Sequence, residues 1–142
     1  MKQEHLAIAS VPMQEWEKIY EPEEALFIGT IFSELDKPFF ATEEMKPIQC
    51  ELSEEERFLK QIQEVSFVLD DIRLFMDTHP ENQSSLELLK NMLGKRKQLL
   101  KEFALKFYPL TPDCMADIYM ESPTSDCYYW QKGPVPWEGV CI

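Results

Sequence analysis

The chain has 142 residues, of which 44% are apolar and 28% charged, as expected for one globular domain with extensions. Its 26 acidic and 14 basic residues leave a net charge of −12. This balance argues against nucleic acid and anionic membranes as ligands, because both bind through a basic surface.

The charge is unevenly distributed along the chain. Residues 52–108 hold 10 acids and 9 bases, whereas residues 1–51 hold 11 and 4, and residues 109–142 hold 5 and 1. The two acidic flanks favour solubility or contact with a basic partner surface. The sequence contains no apolar run of the length of a membrane span and no N-terminal signal-peptide pattern, so we expect neither.

The first fifty residues, which we call the arm, are predicted to be mostly irregular with short helices. Pro12 favours extended backbone around it. Residues 15–20 are compatible with a helical turn or two. Pro22, followed by two acids, predicts the start of a short helix that ends at Gly29.

Residues 29–40 of the arm are rich in large apolar side chains but have no regular period. A segment of this kind usually lies across another surface. We expect residues 29–40 to pack either against the remainder of the same chain or against another protein. The candidate partner-binding side chains of the arm are Trp16, Ile31, Phe32, Leu35 and Phe39.

Residues 53–108 predict a long antiparallel αα-hairpin, around which the chain is organised. Ser53 and Glu56 have the spacing of a capping box. Pro80 predicts a break between two helices. Apolar residues then repeat at intervals of three and four, with Arg96 as the only polar member. The first helix contributes Phe58, Ile62, Val65, Leu69, Ile72 and Met76. The second contributes Leu86, Leu89, Leu93, Arg96, Leu100, Phe103 and Phe107.

The apolar surface of this hairpin is wider than a single seam between two helices requires. Phe67 and Leu74 fall on the opposite face of the first helix. Leu88, Met92 and Leu99 widen the apolar face of the second. This excess surface predicts a further covering element, which is the arm, the rest of the chain, a second copy or a different protein.

Residues 109–142, which we call the tail, are rich in proline and aromatic residues, and their five prolines exclude a long helix. Exposed Trp and Tyr on a stiff backbone are typical of recognition segments. The tail therefore binds a partner or folds back onto the hairpin. Its candidate partner-binding residues are Trp130, Pro134, Pro136 and Trp137.

The sequence offers no arrangement of catalytic groups, so we predict that the chain is not an enzyme and has no cofactor. Asp70 and Asp71 diverge by about 100° on a helix, which prevents a paired acid–base site. His79 and His5 have no group to orient them, and His79 is predicted to be a helix cap or a solvated residue. The four cysteines match no zinc pattern, and they are either free thiols or later crosslinks: Cys50, Cys114, Cys127 and Cys141.

Two sets of motifs resemble known families. The arm is similar to the spore coat-associated JA (CotJA) family in VPMQEW (11–16), YEPEEAL (20–26) and GTIFSELDKPF (29–39). The remainder is similar to the JB coat protein (CotJB) family in QEVSFVLDD (63–71), DTHP (77–80) and GPVPWE (133–138). The chain therefore resembles a JA–JB fusion with a junction at 46–52, organised as arm (1–50), hairpin (51–108) and tail (109–142).

This resemblance implies a non-catalytic, structural role in the inner spore coat, after synthesis in the mother-cell cytoplasm. It also implies a partner, a manganese catalase-like coat protein of the CotJC family. We expect the arm and tail to dock on that protein or on further copies of the chain itself. An alternative is a non-structural adaptor or a metal-handling accessory of that partner, which only the acidic surface supports.

Overall fold

The computed structural model describes residues 14–37 and 51–134. In these ranges the chain is mainly helical, and α2 and α3 pack against each other as the predicted hairpin, with α1 on α2 and α4 on α3. The predicted fold class is therefore confirmed. The helices are α1 (Pro22–Ile28), α2 (Glu54–Thr78), α3 (Gln83–Lys106) and α4 (Pro112–Glu121), and 3₁₀ turns lie at Ser33–Leu35 and Tyr129–Lys132.

The start of α2 is the predicted capping box. The amide of Glu56 donates to the Ser53 hydroxyl oxygen at 3.2 Å, and the Glu56 carboxylate accepts from the Ser53 amide at 2.7 Å. These bonds satisfy two amides that the first helical turn leaves without partners. The hydrogen bond from the Ser53 backbone also lowers the pKa of Glu56.

The turn between α2 and α3 is closed by a cap on each side. The amide of His79 donates to the carbonyl oxygen of Phe75 at 3.1 Å, and its ring stacks on the Phe75 ring at 4.2 Å. The Asn82 side chain accepts from the amide of Ser85 at 2.9 Å, which caps α3. The predicted capping role of His79 is confirmed.

The α2 side of the seam is formed as predicted, with Ile62, Val65, Leu69 and Ile72 buried. Arg96 of α3 crosses the seam, where its Nε donates to the Ser66 hydroxyl oxygen at 2.9 Å.

The α3 side of the seam differs from the prediction at Leu93, which is 52% exposed. Its neighbour Met92 packs against the core instead. Met92 precedes Leu93 by one residue, which is about 100° on a helix, so the orientation that places Met92 on the core turns Leu93 away from it. Leu93 lies instead in a groove between α3 and α4, beside Leu100 and Asp117.

The tail contains a helix that the proline pattern did not reveal. Pro112 occupies the first turn of α4, where its missing amide costs no hydrogen bond. Cys114 and Ile118 are buried against Ala104 of α3. The prolines thus exclude a long helix but leave room for this helix of 10 residues.

The open end of the hairpin is closed by an aromatic cluster. Phe103 packs against Phe58, Phe107 and Tyr108 at ring distances of 6.1, 4.9 and 5.1 Å. The Tyr108 hydroxyl donates to the Glu55 carboxylate at 2.9 Å. Burial, followed by this hydrogen bond, raises the pKa of Tyr108 to about 12.

The raised pKa of Tyr108 predicts a loss of stability at high pH. The folded chain holds the phenol proton to about pH 12, whereas the unfolded chain releases it near 10.0. The contribution of Tyr108 is therefore fully present below pH 10 and is lost as the pH rises toward 12. Urea midpoints measured at about pH 9 and about pH 11.5 should fall further for the wild type than for Tyr108→Phe. Tyr128→Phe, at an exposed position, is the control, and equal falls in wild type and Tyr108→Phe would contradict the prediction.

Candidate interaction surface

The described part of the arm lies on α2 and is anchored there by one carboxylate. Asp71 Oδ2 accepts a hydrogen bond from the Ile31 amide at 2.8 Å and another from the Thr30 hydroxyl at 3.1 Å. The Thr30 hydroxyl oxygen in turn accepts from the Phe32 amide at 3.1 Å. Because hydrogen bonds to a charged group are stronger than neutral ones, Asp71 sets the position of these three arm residues on the helix.

An aromatic cluster lies beside this anchor. The Phe32 ring packs on Phe75 of α2 at 5.2 Å, and the Trp16 ring meets both at 6.0 and 5.3 Å with edge-to-face geometry. Such pairs contribute about 0.5–1.5 kcal/mol beyond the area they bury. The arm is thus held by apolar packing as well as by Asp71.

The arm has a compact fold of its own. The Tyr20 amide donates to the Ile31 carbonyl oxygen at 2.8 Å, next to an antiparallel bridge between Ile19 and Phe32. Between these two strand-like ends α1 forms and ends at Gly29, whose φ of 95° suits glycine. The prediction for α1 is confirmed, whereas the helical turn considered for residues 15–20 is wrong, because Ile19 is extended and paired.

Charged groups at the edge of the contact are exposed. Lys60 of α2 lies 2.7 Å from the Glu23 carboxylate, and the hydrogen bond between them lowers the pKa of Glu23. On the outer side of the arm, the charge of Glu34 raises the pKa of Glu17. Exposed ion pairs of this kind contribute little, so the contact depends on its buried part.

The structure divides the candidate partner-binding residues into two groups. Ile31 and Phe32 are buried in the chain's own core, and Trp16 and Phe67 pack against that core. Ile31 and Phe32 are therefore not available to a partner in this conformation, whereas Trp16 and Phe67 are partly covered by their own chain. The exposed candidates are Leu35, Leu74, Trp130 and Pro134, of which Leu74 is 68% exposed. Phe39, Pro136 and Trp137 lie outside the described residues.

Most of the wide apolar face of the hairpin packs against the chain's own core. Phe67 of α2 and both Leu88 and Met92 of α3 pack against a core cluster that includes Ala25, Ile31 and Phe32 of the arm. The arm thus shares one core with this face of the hairpin. Leu74 stays uncovered.

Several exposed apolar side chains were missed by the sequence reasoning. Phe27 on α1 is 58% exposed and Met120 on α4 is 80% exposed, and Tyr128 is also exposed. A signal for Phe27 was present, since a helix of two turns that buries Ala25 must turn neighbouring residues outward. The exposure of Met120 could not be predicted, because α4 itself was not predicted from the sequence.

Within residues 14–37 and 51–134 no group of three or more His, Cys, Asp or Glu side chains is close enough to hold a metal ion. A membrane-crossing helix is likewise not found in those ranges, since the helices there are too short or too polar. Cys127 is exposed and Cys114 buried, and crosslinking through the tail stays a prediction.

Two family models match the chain, and they cover the two segments that meet at Asp71. The model described as CotJB protein matches residues 56–138, more than half of the chain. The chain belongs to the CotJB family. The model described as spore coat associated protein JA (CotJA) matches residues 5–39 of the same chain. No curated protein and no solved structure matches it.

The two matches confirm the resemblance to a CotJA–CotJB fusion, and these families make the chain a spore coat-associated protein. The predicted junction at 46–52 lies in the interval that neither model covers. Thr30 and Ile31 fall in the CotJA match and Asp71 in the CotJB match. The arm–hairpin contact therefore joins the part of the chain that matches CotJA to the part that matches CotJB.

We predict that Thr30 and Asp71 contribute to stability as a pair. Asp71→Ala should lower the free energy of unfolding by about 2–4 kcal/mol, because it leaves a buried hydroxyl and an amide without an acceptor. Thr30→Val should cost about 1–2 kcal/mol, and the double variant less than the sum by about 1 kcal/mol. Urea denaturation followed by circular dichroism measures all three.

The matched control for this cycle is Asp70→Ala. Asp70 precedes Asp71 on α2, but its carboxylate is exposed and, among the described residues, pairs only with Arg73 of the same helix at 3.5 Å. Its replacement should change stability by no more than about 0.5 kcal/mol. Additive effects of Thr30→Val and Asp71→Ala would show that the hydrogen bond between the two side chains does not couple them.

Proposed function

We propose that the chain is a non-catalytic, structural component of the inner spore coat that assembles with a manganese catalase-like coat protein of the CotJC family. Membership of the CotJB family and the CotJA match support the coat assignment. The resemblance of both parts to proteins that assemble with such a partner supports the choice of partner.

The observation that carries the proposal is the set of apolar side chains left exposed once the arm is docked. Phe27 on α1, Leu35 on the 3₁₀ turn and Leu74 on α2 are 58%, 51% and 68% exposed. Phe27 and Leu74 lie on the two helices that meet in the arm–α2 contact, and the Leu35 amide donates to the carbonyl oxygen of Phe32, which is buried there, so a folded backbone supports all three. Large apolar side chains exposed on a rigid surface are typical of protein–protein contacts.

A second group of exposed side chains lies on α4 and the turn after it. Met120, Tyr128 and Trp130 are 80%, 55% and 40% exposed. Tyr and Trp are enriched among the residues that dominate binding energy, and Met adapts to irregular surfaces. Phe39, Pro134, Pro136 and Trp137 complete the proposed contact residues.

The net charge of −12 bears on the choice between a partner and self-association. Two copies that meet through these apolar groups bring like charges together, which opposes assembly at low salt. A different protein with a neutral or basic surface carries no such penalty. The charge thus favours a heterologous partner over a second copy.

The proposal is tested by co-expression with the catalase-like coat protein and affinity purification of the tagged chain. We expect the partner to co-purify with the wild type. In Leu35→Ser/Leu74→Ser we expect at least a tenfold loss of the co-purified partner, because a contact that excludes water loses two anchors, each contributing about 1–3 kcal/mol. Circular dichroism should stay unchanged, since both side chains are exposed.

The matched control is Leu105→Ser, an exposed leucine on α3 that is 45% accessible and outside both groups. It should retain the partner. A wild-type chain that stays monomeric and unbound in the presence of the partner would contradict the proposal. Association of the purified chain with itself, measured by light scattering and abolished by Leu35→Ser/Leu74→Ser, would assign the surface to self-assembly instead.

A further inference from the structure

We infer that the groove formed by α2 and α3 is a docking site for a separate polypeptide of the CotJA type, and that the arm occupies it here as a covalently attached example. The covalent connection is then dispensable once the arm is bound. This inference concerns a contact within the chain and stands whether or not a catalase-like protein binds.

The contact has the composition of an interface core. Ala25 and Ile31 of the arm are 0% exposed, and they share one apolar cluster with Val68, Ile72 and Phe75 of α2. On the other side Leu88, Leu89 and Met92 of α3 pack against the same cluster. A groove made by two helices that buries the apolar residues of a third segment is a recurring mode of peptide recognition.

The contact is also specific. A purely apolar groove would accept the segment in several positions, whereas the Asp71 carboxylate accepts from the Thr30 hydroxyl and the Ile31 amide. Shifting the arm by one residue would leave these buried donors without a partner, which costs about 1–3 kcal/mol each. Asp71 therefore defines the register of the arm in the groove.

Net charge does not explain the attraction, because the described arm and α2 both hold more acids than bases. Recognition in the groove therefore depends on shape, apolar burial and Asp71. Binding of this kind should persist at high salt, which separates it from non-specific capture of an acidic segment by the basic helix α3.

The structured unit of the arm is self-contained. Its internal hydrogen bonds join Tyr20 to Ile31 and Lys18 to Ser33, so the loop closes on itself within residues 14–37. A segment that closes on itself loses less conformational entropy when it binds. The covalent connection through residues 38–50 adds an effective concentration on the order of millimolar.

The family matches divide the chain at the same place. The CotJA match ends at residue 39 and the CotJB match begins at residue 56, while the contact joins residues of one match to residues of the other. A separate CotJA-type polypeptide that carries the GTIF segment of residues 29–32 would fit the same groove.

The test cleaves the connection in the folded, full-length chain. A specific protease site is inserted between residues 40 and 49, the protein is purified intact, and the connection is cut. Size-exclusion chromatography in about 0.5 M NaCl, followed by mass spectrometry, shows whether the released arm remains with the hairpin. We expect co-elution and an unchanged helical signal, with a dissociation constant of about micromolar or lower.

Two variants of the cleavable chain sharpen the result. Asp71→Ala should weaken retention of the cut arm roughly ten- to hundredfold, because two hydrogen bonds to the carboxylate are lost. Asp70→Ala, on the preceding residue of α2 and exposed, should retain the arm as the wild type does. If Asp71→Ala lowers the helical signal before cleavage, Thr30→Val replaces it, with a smaller expected loss of about five- to tenfold.

A wild-type arm that separates from the hairpin on cleavage overturns the inference, whether or not the remainder stays helical. Equal retention in Asp71→Ala and Asp70→Ala overturns the assigned register. Co-elution that is lost at high salt shows electrostatic capture and also overturns it. Co-elution with selective loss in Asp71→Ala supports it and is independent of the outcome with the catalase-like partner.

Discussion

The arrangement of the arm on the hairpin depends on Asp71, the carboxylate on α2 that accepts from Thr30 and Ile31. The two donors are adjacent in the chain, so a single side chain fixes both the position and the direction of the segment. Phe32 then meets Phe75, and Trp16 closes the cluster. Without this contact the α2–α3 pair would expose an apolar face too wide for a monomeric protein to leave in water.

Local patterns in the sequence were enough to predict the hairpin, since a capping box at Ser53, a break at Pro80 and apolar spacing of three and four are properties of neighbouring residues. The docking of the arm was not predictable in this way. It joins residues about forty positions apart. From the sequence alone, the arm could pack either on the rest of its own chain or on another protein. Leu93 was placed wrongly because spacings of three and four did not show which of the apolar neighbours Met92 and Leu93 faces the core. The helix that starts at Pro112 was missed because prolines were weighed as breakers only.

The docked arm changes which residues are available for assembly. Ile31 and Phe32 were among the candidate partner-binding residues, yet both are buried in their own chain. The apolar side chains that remain exposed, such as Leu35 and Leu74, are carried by the same packed elements. One part of the arm thus stabilises the fold while its outer side stays free for the proposed coat partner. A spore coat protein that brings CotJA and CotJB parts together in one chain would need both kinds of surface.

Amide hydrogen exchange of the Ile31 backbone measures whether the arm is folded on α2 of its own chain. This amide donates to Asp71, and the neighbouring Tyr20 amide donates back to Ile31. In the isotope-labelled, full-length chain, we expect the Ile31 and Tyr20 amides to be protected from exchange to an extent similar to the amides in the middle of α2. The reason is that the arm and α2 are expected to unfold together as one cooperative unit. Exchange of Ile31 and Tyr20 at the rate of an unstructured peptide, while α2 stays protected, would contradict the account.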